Sequence, residues 1–173
     1  MSRDFADHLV AQWAEARPDL DPDPMALVVR IMRLAAILEE RLTAVLRDHD
    51  LTIWEFDVLA TLRRNGAEGL SPKRLLHELL LSSGAMTNRI DRLEDAGLVK
   101  RTPDPDDRRG TIIRLTPAGV RRIDPAVRDR FEDARQVVGM LGRGEARVVR
   151  ATLRKLALEL QPSTRQSQTT PGE

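Results

Sequence analysis

The chain has no cysteine. That removes disulfides, thiolate zinc sites, cysteine nucleophiles and thiol-based redox sensing together. Histidine is scarce as well. His8, His49 and His77 lie far apart and share no ligand spacing, so no metal site is expected. No apolar run approaches the length of a membrane span, and the N-terminus carries no signal-peptide pattern. A cytoplasmic protein is the expectation. An excess of one charge is also missing, since 28 Lys and Arg face 27 Asp and Glu for a net +1. Such a balance neither demands nor forbids a nucleic-acid partner; what matters is where the charges sit. From Ser71 to Arg114 there are nine basic and seven acidic residues. That bias is weak, so a case for DNA must rest on geometry. There is no phosphate-binding glycine loop and no Ser/His/Asp set in a recognisable context. "LSSGAM" has no histidine spaced to serve it. No catalytic residue, cofactor or enzymatic activity is expected.

What is present suits a soluble domain. The 173 residues can build a real core, and 41% apolar with 32% charged residues excludes global disorder. Residues 1–17 read as helix, and "RPDLDPDP" breaks it. From Met25 to about Arg47 an apolar stripe runs Leu27, Ile31, Leu34, Leu38, Leu42, Val45 at helical spacing. Thr52 caps a helix from Trp54 to about Arg64. Ser71-Pro72 opens a short helix to about Leu80. Ser82 or Ser83 caps another, through about Asp95, which Gly97 ends. Thr116-Pro117 starts a helix with the stripe Val120, Ile123, Val127, Phe131, Ala134, Val138, Leu141, and Pro125 within it is expected to bend it. A last helix runs from about Glu145 to Leu160. The polar tail after it is expected to be disordered.

Between these helices the period changes. "LVKRT" and "TIIRL" read as two short strands joined by "PDPDDRRG". Two short helices, a tight turn and then a β-hairpin follow the order of a winged helix-turn-helix. The expected fold is mainly α with a small β-hairpin wing. In the helix ending at Asp95 the core face is Met86, Ile90 and Leu93. At 100° per residue, Gly84, Thr87, Asn88 and Asp91 fall on the opposite side. Asn88 suits adenine, and Thr87 suits a thymine methyl or a phosphate. Ser83 and the free amides at the helix start suit a phosphate. Lys73 adds a cation on the preceding helix. At the hairpin tip, Arg108 and Arg109 are placed to enter a narrow minor groove, with Asp107 expected to orient the Arg109 guanidinium.

These stretches resemble the MarR family of bacterial transcription regulators over about residues 25–160. "LTIWEFDVLATL", "LSPKRLLHELLLSSGAMTNRIDRLEDAGLVKR", "DPDDRRG" and "LTPAG" carry the resemblance in order. It implies a homodimer built from N- and C-terminal helices, a pseudopalindromic DNA operator, and repression relieved by a small anionic or phenolic ligand. The implied division is an extra helix and linker at 1–24, a dimerisation region at 25–50 and 117–160, a winged helix-turn-helix at 51–116, and a tail at 161–173. Periodicity alone fits the two long stripes equally to a monomer's core.

A narrower resemblance is to the PecS/HucR-like branch, whose members respond to urate. That branch uses a tryptophan in the added helix, an aspartate before the helix-turn-helix, and arginines from the recognition helix and first wing strand. Trp13, Asp57, Arg89 and Arg101 match. An indole stacks on a planar anion, a guanidinium pairs with it, and a carboxylate accepts from ring N–H groups or repels its charge. A ligand that disturbs an Asp57–Arg89 pair would then move the recognition helix. A different phenolic or carboxylate ligand, a ligand-independent DNA binder, and a helical interaction module remain alternatives. Gly142 stands where the family often has a serine cap.

Overall fold

A computed structural model describes residues 3–79, 83–107 and 109–160, with the backbone alone at 83–85. The elements are α1 (Phe5–Ala16), α2 (Asp23–Arg47), α3 (Ile53–Arg64), α4 (Pro72–Leu79), α5 (Ser83–Asp95), β1 (Val99–Pro103), β2 (Thr111–Leu115), α6 (Pro117–Gly139) and α7 (Arg143–Leu160). The chain divides into two compact units, 1–131 and 132–173. The expected mainly helical fold with a hairpin wing is what the chain adopts.

The helix starts follow local chemistry. Asp4 and Asp7 form a reciprocal capping box on α1, each side chain accepting the other's backbone N–H at 2.9 Å. Thr52 and Glu55 do the same for α3. The Ser71 hydroxyl accepts the Arg74 N–H at 3.3 Å and opens α4. α2 begins at Asp23, two residues before the expected Met25, because Pro24 is comfortable in a first helical turn. Ser83 is already helical, so it is not the cap of α5; Ser82 and Leu80 lie outside the described residues, as does the tail at 161–173. α6 continues past Pro125 to Gly139. α7 starts at Arg143, earlier than the expected Glu145. Its start is secured by the Glu145 carboxylate, which accepts the Gly142 N–H at 2.7 Å, half of a capping box that the glycine cannot complete.

One core holds the first unit. Val58, Leu59 and Leu62 of α3 meet Leu75 of α4, Met86, Ile90 and Leu93 of α5, Val99 and Ile113 of the hairpin, and Ile123 and Ala126 of α6. All of these are at most 2% exposed. The strands pair antiparallel from Val99↔Leu115 to Pro103↔Thr111. Leu70 adds a bridge to Ile113, donating at 3.0 Å and accepting at 2.8 Å, so the wing is rooted beside α4. The extra helix α1 packs on α2 of its own chain. Ala6 and Ala26 are buried there, and Arg30 reaches Asp4 at 2.8 Å and Asp7 at 2.6 Å.

The hairpin and α5 are tied to α6 through one residue. The Thr116 hydroxyl donates to the Gly97 carbonyl at 2.7 Å and accepts the Gly119 N–H at 3.0 Å, while its own N–H donates to the Leu98 carbonyl at 3.0 Å. Gly97 itself ends α5 in the left-handed region, φ 69°. The tie requires close approach: a Cβ at Gly119 would lie 2.0 Å from the Leu98 carbonyl oxygen. Gly119→Ala should therefore force a backbone shift and cost about 1–3 kcal/mol by urea denaturation. An unchanged midpoint would mean that this approach is not needed for folding.

Candidate DNA-reading face and ligand cleft

Burial of Met86, Ile90 and Leu93 decides what α5 shows to solvent. The opposite face carries exposed Thr87, Asn88 and Asp91. Ser83 is the first residue of α5, so its backbone N–H is one of the first-turn donors that have no partner within the helix. Lys73 is exposed on the first turn of α4. Arg109 is exposed at the hairpin tip, whereas Arg108 lies outside the described residues.

The aspartates of the loop shape it. Asp104 accepts the Asp106 N–H at 3.0 Å and Asp107 accepts the Arg109 N–H at 2.9 Å. Each bond is an Asx-type turn closed by the side chain. Asp107 thus holds the Arg109 backbone rather than the guanidinium that the sequence suggested. The Asp104 N–H donates to the Gly110 carbonyl at 3.1 Å and closes the loop. The turn so closed presents an exposed Arg109.

A cleft of about 740 Å³ opens beside the reading helix. Thr43 and Arg47 come from the end of α2; Asp50, Leu51 and Thr52 from the connection; Ile53, Trp54, Glu55 and Asp57 from α3; and Arg89 from α5. Two of the four ligand candidates, Asp57 and Arg89, meet here. Trp54 and Arg47 are lining residues that sequence reasoning missed. The signal was available for Trp54, which lies three residues before Asp57 on the same helical face. The Arg89 guanidinium sits over the Trp54 ring, 5.6 Å from its centroid. Glu55 is occupied by its cap, accepting from the Thr52 N–H at 2.8 Å and the Thr52 hydroxyl at 2.6 Å.

The other two candidates stand elsewhere within the chain. Trp13 is 41% exposed on α1 and does not line the cleft. Arg101, on β1, pairs with Asp91 at 2.5 Å and with Glu94, and its own N–H donates to Glu94 at 2.9 Å. These bonds hold its guanidinium charged, the Asp91 hydrogen bond contributing most. They also join the first wing strand to the reading helix.

Asp57 forms no ion pair with Arg89 among the described residues. Partial desolvation raises its pKa above the ordinary aspartate value of 3.8, while Arg89 and, behind it, Arg64 pull the other way at longer range. A carboxylate in this balance tolerates an N–H donor and resists a second anion unless it takes up a proton.

Two consecutive short helices, α4 and α5, followed at once by the β1–β2 hairpin, are the order of a winged helix-turn-helix DNA-binding regulator. The MarR family model matches residues 49–110. The HTH-type transcriptional regulator PecS of Dickeya dadantii (strain 3937) is 35% identical over 153 residues, 88% of this chain and 92% of that one. The chain belongs to the MarR family of transcriptional regulators, which are not enzymes. Among solved structures, a mutant MarR from Escherichia coli complexed with operator DNA aligns with a TM-score of 0.66 at 27% identity, covering 87% of this chain and 98% of that one. CouR from Rhodococcus jostii RHA1, bound to p-coumaroyl-CoA, aligns at 0.65 and 25%, covering 76% and 91%.

Arg109→Ala should weaken operator binding by roughly 1–3 kcal/mol in an anisotropy titration, the range of a good groove contact; unchanged affinity would refute the wing assignment. For Asp57, a raised folded-state pKa means that both states are protonated below the ordinary value, so the group contributes nothing there. As pH rises from the ordinary value, where the unfolded chain ionises first, folding loses stability, and the cost is complete once pH passes the folded value. Asp57→Asn should thus slightly raise the thermal midpoint at neutral pH, with the gain shrinking as pH falls toward 3.8. A loss of stability would instead indicate a stabilising ion pair.

Proposed function

We propose that this MarR-family regulator is a homodimeric repressor that binds a pseudopalindromic operator and leaves it when a planar aromatic anion enters the cleft, urate being the first candidate. The observation that carries the reading is the shared placement of Trp54, Asp57 and Arg89: one cleft touches the helix that would read DNA. A ligand there bears directly on α5. Ser83, Thr87, Asn88, Arg109, Arg108 and Lys73 are the residues proposed to meet DNA, with Asp107 fixing the Arg109 turn.

Dimerisation rests on unspent apolar surface. In the first unit, α2 leaves Leu27, Val28, Ile31, Met32, Leu34 and Ile37 from 37% to 66% exposed. In the second, α7 has no buried residue, and Val148, Val149, Leu153, Leu156, Leu158 and Leu160 are all exposed. Amphipathic faces of this extent mark an interface.

A wider ligand class has support of its own. Trp13 is outside the cleft of its own chain, and Arg101 is committed to Asp91 and Glu94. Two of the four residues behind the urate reading are thus not at the site within one chain. Leu51, Ile53 and the indole make an apolar wall that suits a phenolic or aromatic carboxylate equally well.

Light scattering should give twice the 19.5 kDa chain mass. Anisotropy on labelled DNA from upstream of the protein's own gene, at fixed salt, should show specific binding. Release by urate supports the narrow ligand assignment. Release by salicylate alone supports the wider class. Equal binding to any duplex would leave an architectural DNA binder.

A further inference from the structure

The contact between Trp54 and Arg89 joins two elements with different duties. Trp54 is in the first turn of α3, a helix fixed by its capping box, and the half-buried indole packs against the core. Arg89 is on α5, next to the exposed Thr87 and Asn88. No ion pair holds Arg89 among the described residues. Its guanidinium rests on the indole face, 5.6 Å from the centroid, as a cation–π pair.

That distance decides what the cleft can hold. A flat ring stacked on an indole lies about 3.5 Å away, and a guanidinium beyond it needs a second layer, about 7 Å in all. The present separation leaves no room for an intervening ring. An aromatic ligand on this face of Trp54 and Arg89 in its present place therefore exclude one another.

We propose that Trp54, not Trp13 of the same chain, is the stacking platform of the cleft, and that its contact with Arg89 is the latch between ligand and reading helix. The proposal rests on the ligand-responsive reading above and adds which ring and which contact carry the response. An aromatic acid takes the indole face, and the displaced guanidinium moves to the ligand's anionic edge. Arg47 supplies a second cation from α2. Because Arg89 and Asn88 share α5, breaking the contact with Trp54 removes a tie between α5 and α3 and frees the helix that carries Asn88 to shift. The ligand-bound and operator-reading positions of Arg89 differ, which supplies the differential affinity that release requires.

The test uses full-length protein and two probes, urate and salicylate, with binding measured by calorimetry and operator affinity by anisotropy. Trp54→Leu should weaken the bound probe about tenfold or more, as expected for loss of an aromatic stacking partner. Trp54→Phe should recover most of that loss, which separates the role of the ring from misfolding. The coupling factor, operator Kd with ligand over Kd without, should fall toward one in Arg89→Leu from the 5- to 150-fold usual for linked sites. Wild-type affinity in Trp54→Leu overturns the latch while leaving the ligand-responsive function standing. If neither probe binds the wild type, the planar-anion function itself fails and the latch falls with it.

Discussion

The seating of α5 on the core is the constraint from which the rest follows. Three side chains, Met86, Ile90 and Leu93, are buried where α5 packs on α3, α4 and β1. Truncating a buried side chain of this size typically costs 2–5 kcal/mol. No sliding or rolling of α5 escapes that penalty. The face opposite is thereby committed to solvent, and Thr87 and Asn88 are held at a defined angle to the wing. A DNA-reading helix needs this rigidity, because base-edge hydrogen bonds tolerate little misplacement.

The same seating makes the helix controllable. Its flank, where Arg89 lies, is neither core nor DNA face. It borders the cleft, so a small molecule can act on the helix without entering the core. Arg101 adds a second restraint by joining β1 to Asp91 and Glu94. Ion pairs this exposed are individually weak, yet two on one guanidinium, with a backbone N–H on Glu94, couple wing and helix geometrically. Thr116 and Gly119 complete the frame by pinning α6 to the end of α5. The reading unit is thus braced by the core, by Arg101 and by Thr116 with Gly119, and open at its solvent face and at the cleft.

The apolar faces of α2 and α7 follow a different rule. Their periodicity is as regular as that of a core helix, yet the residues are exposed in the single chain. Period reports that a helix has an apolar side and not what covers it. The extra helix α1 covers part of α2 through Ala6 and Ala26, small residues that allow close approach. The exposed remainder is the physical basis for proposing a second copy.

Most of the architecture was legible in the chain itself, because it is local. Capping pairs such as Thr52 with Glu55, the Ser71-Pro72 start, the left-handed Gly97 and the switch from period 3.6 to period 2 after it depend on neighbours a few residues apart. The spacing of Met86, Ile90 and Leu93 also set which side of α5 would face out. Tertiary structure alone decided the pairings. Of two tryptophans, the one beside Arg89 is Trp54, and of the available carboxylates Arg101 takes Asp91 and Glu94. Asp107 bonds a backbone N–H in place of the guanidinium. Such choices turn on distances of a few ångströms between side chains from separate elements, and no periodicity along one chain encodes a distance between two.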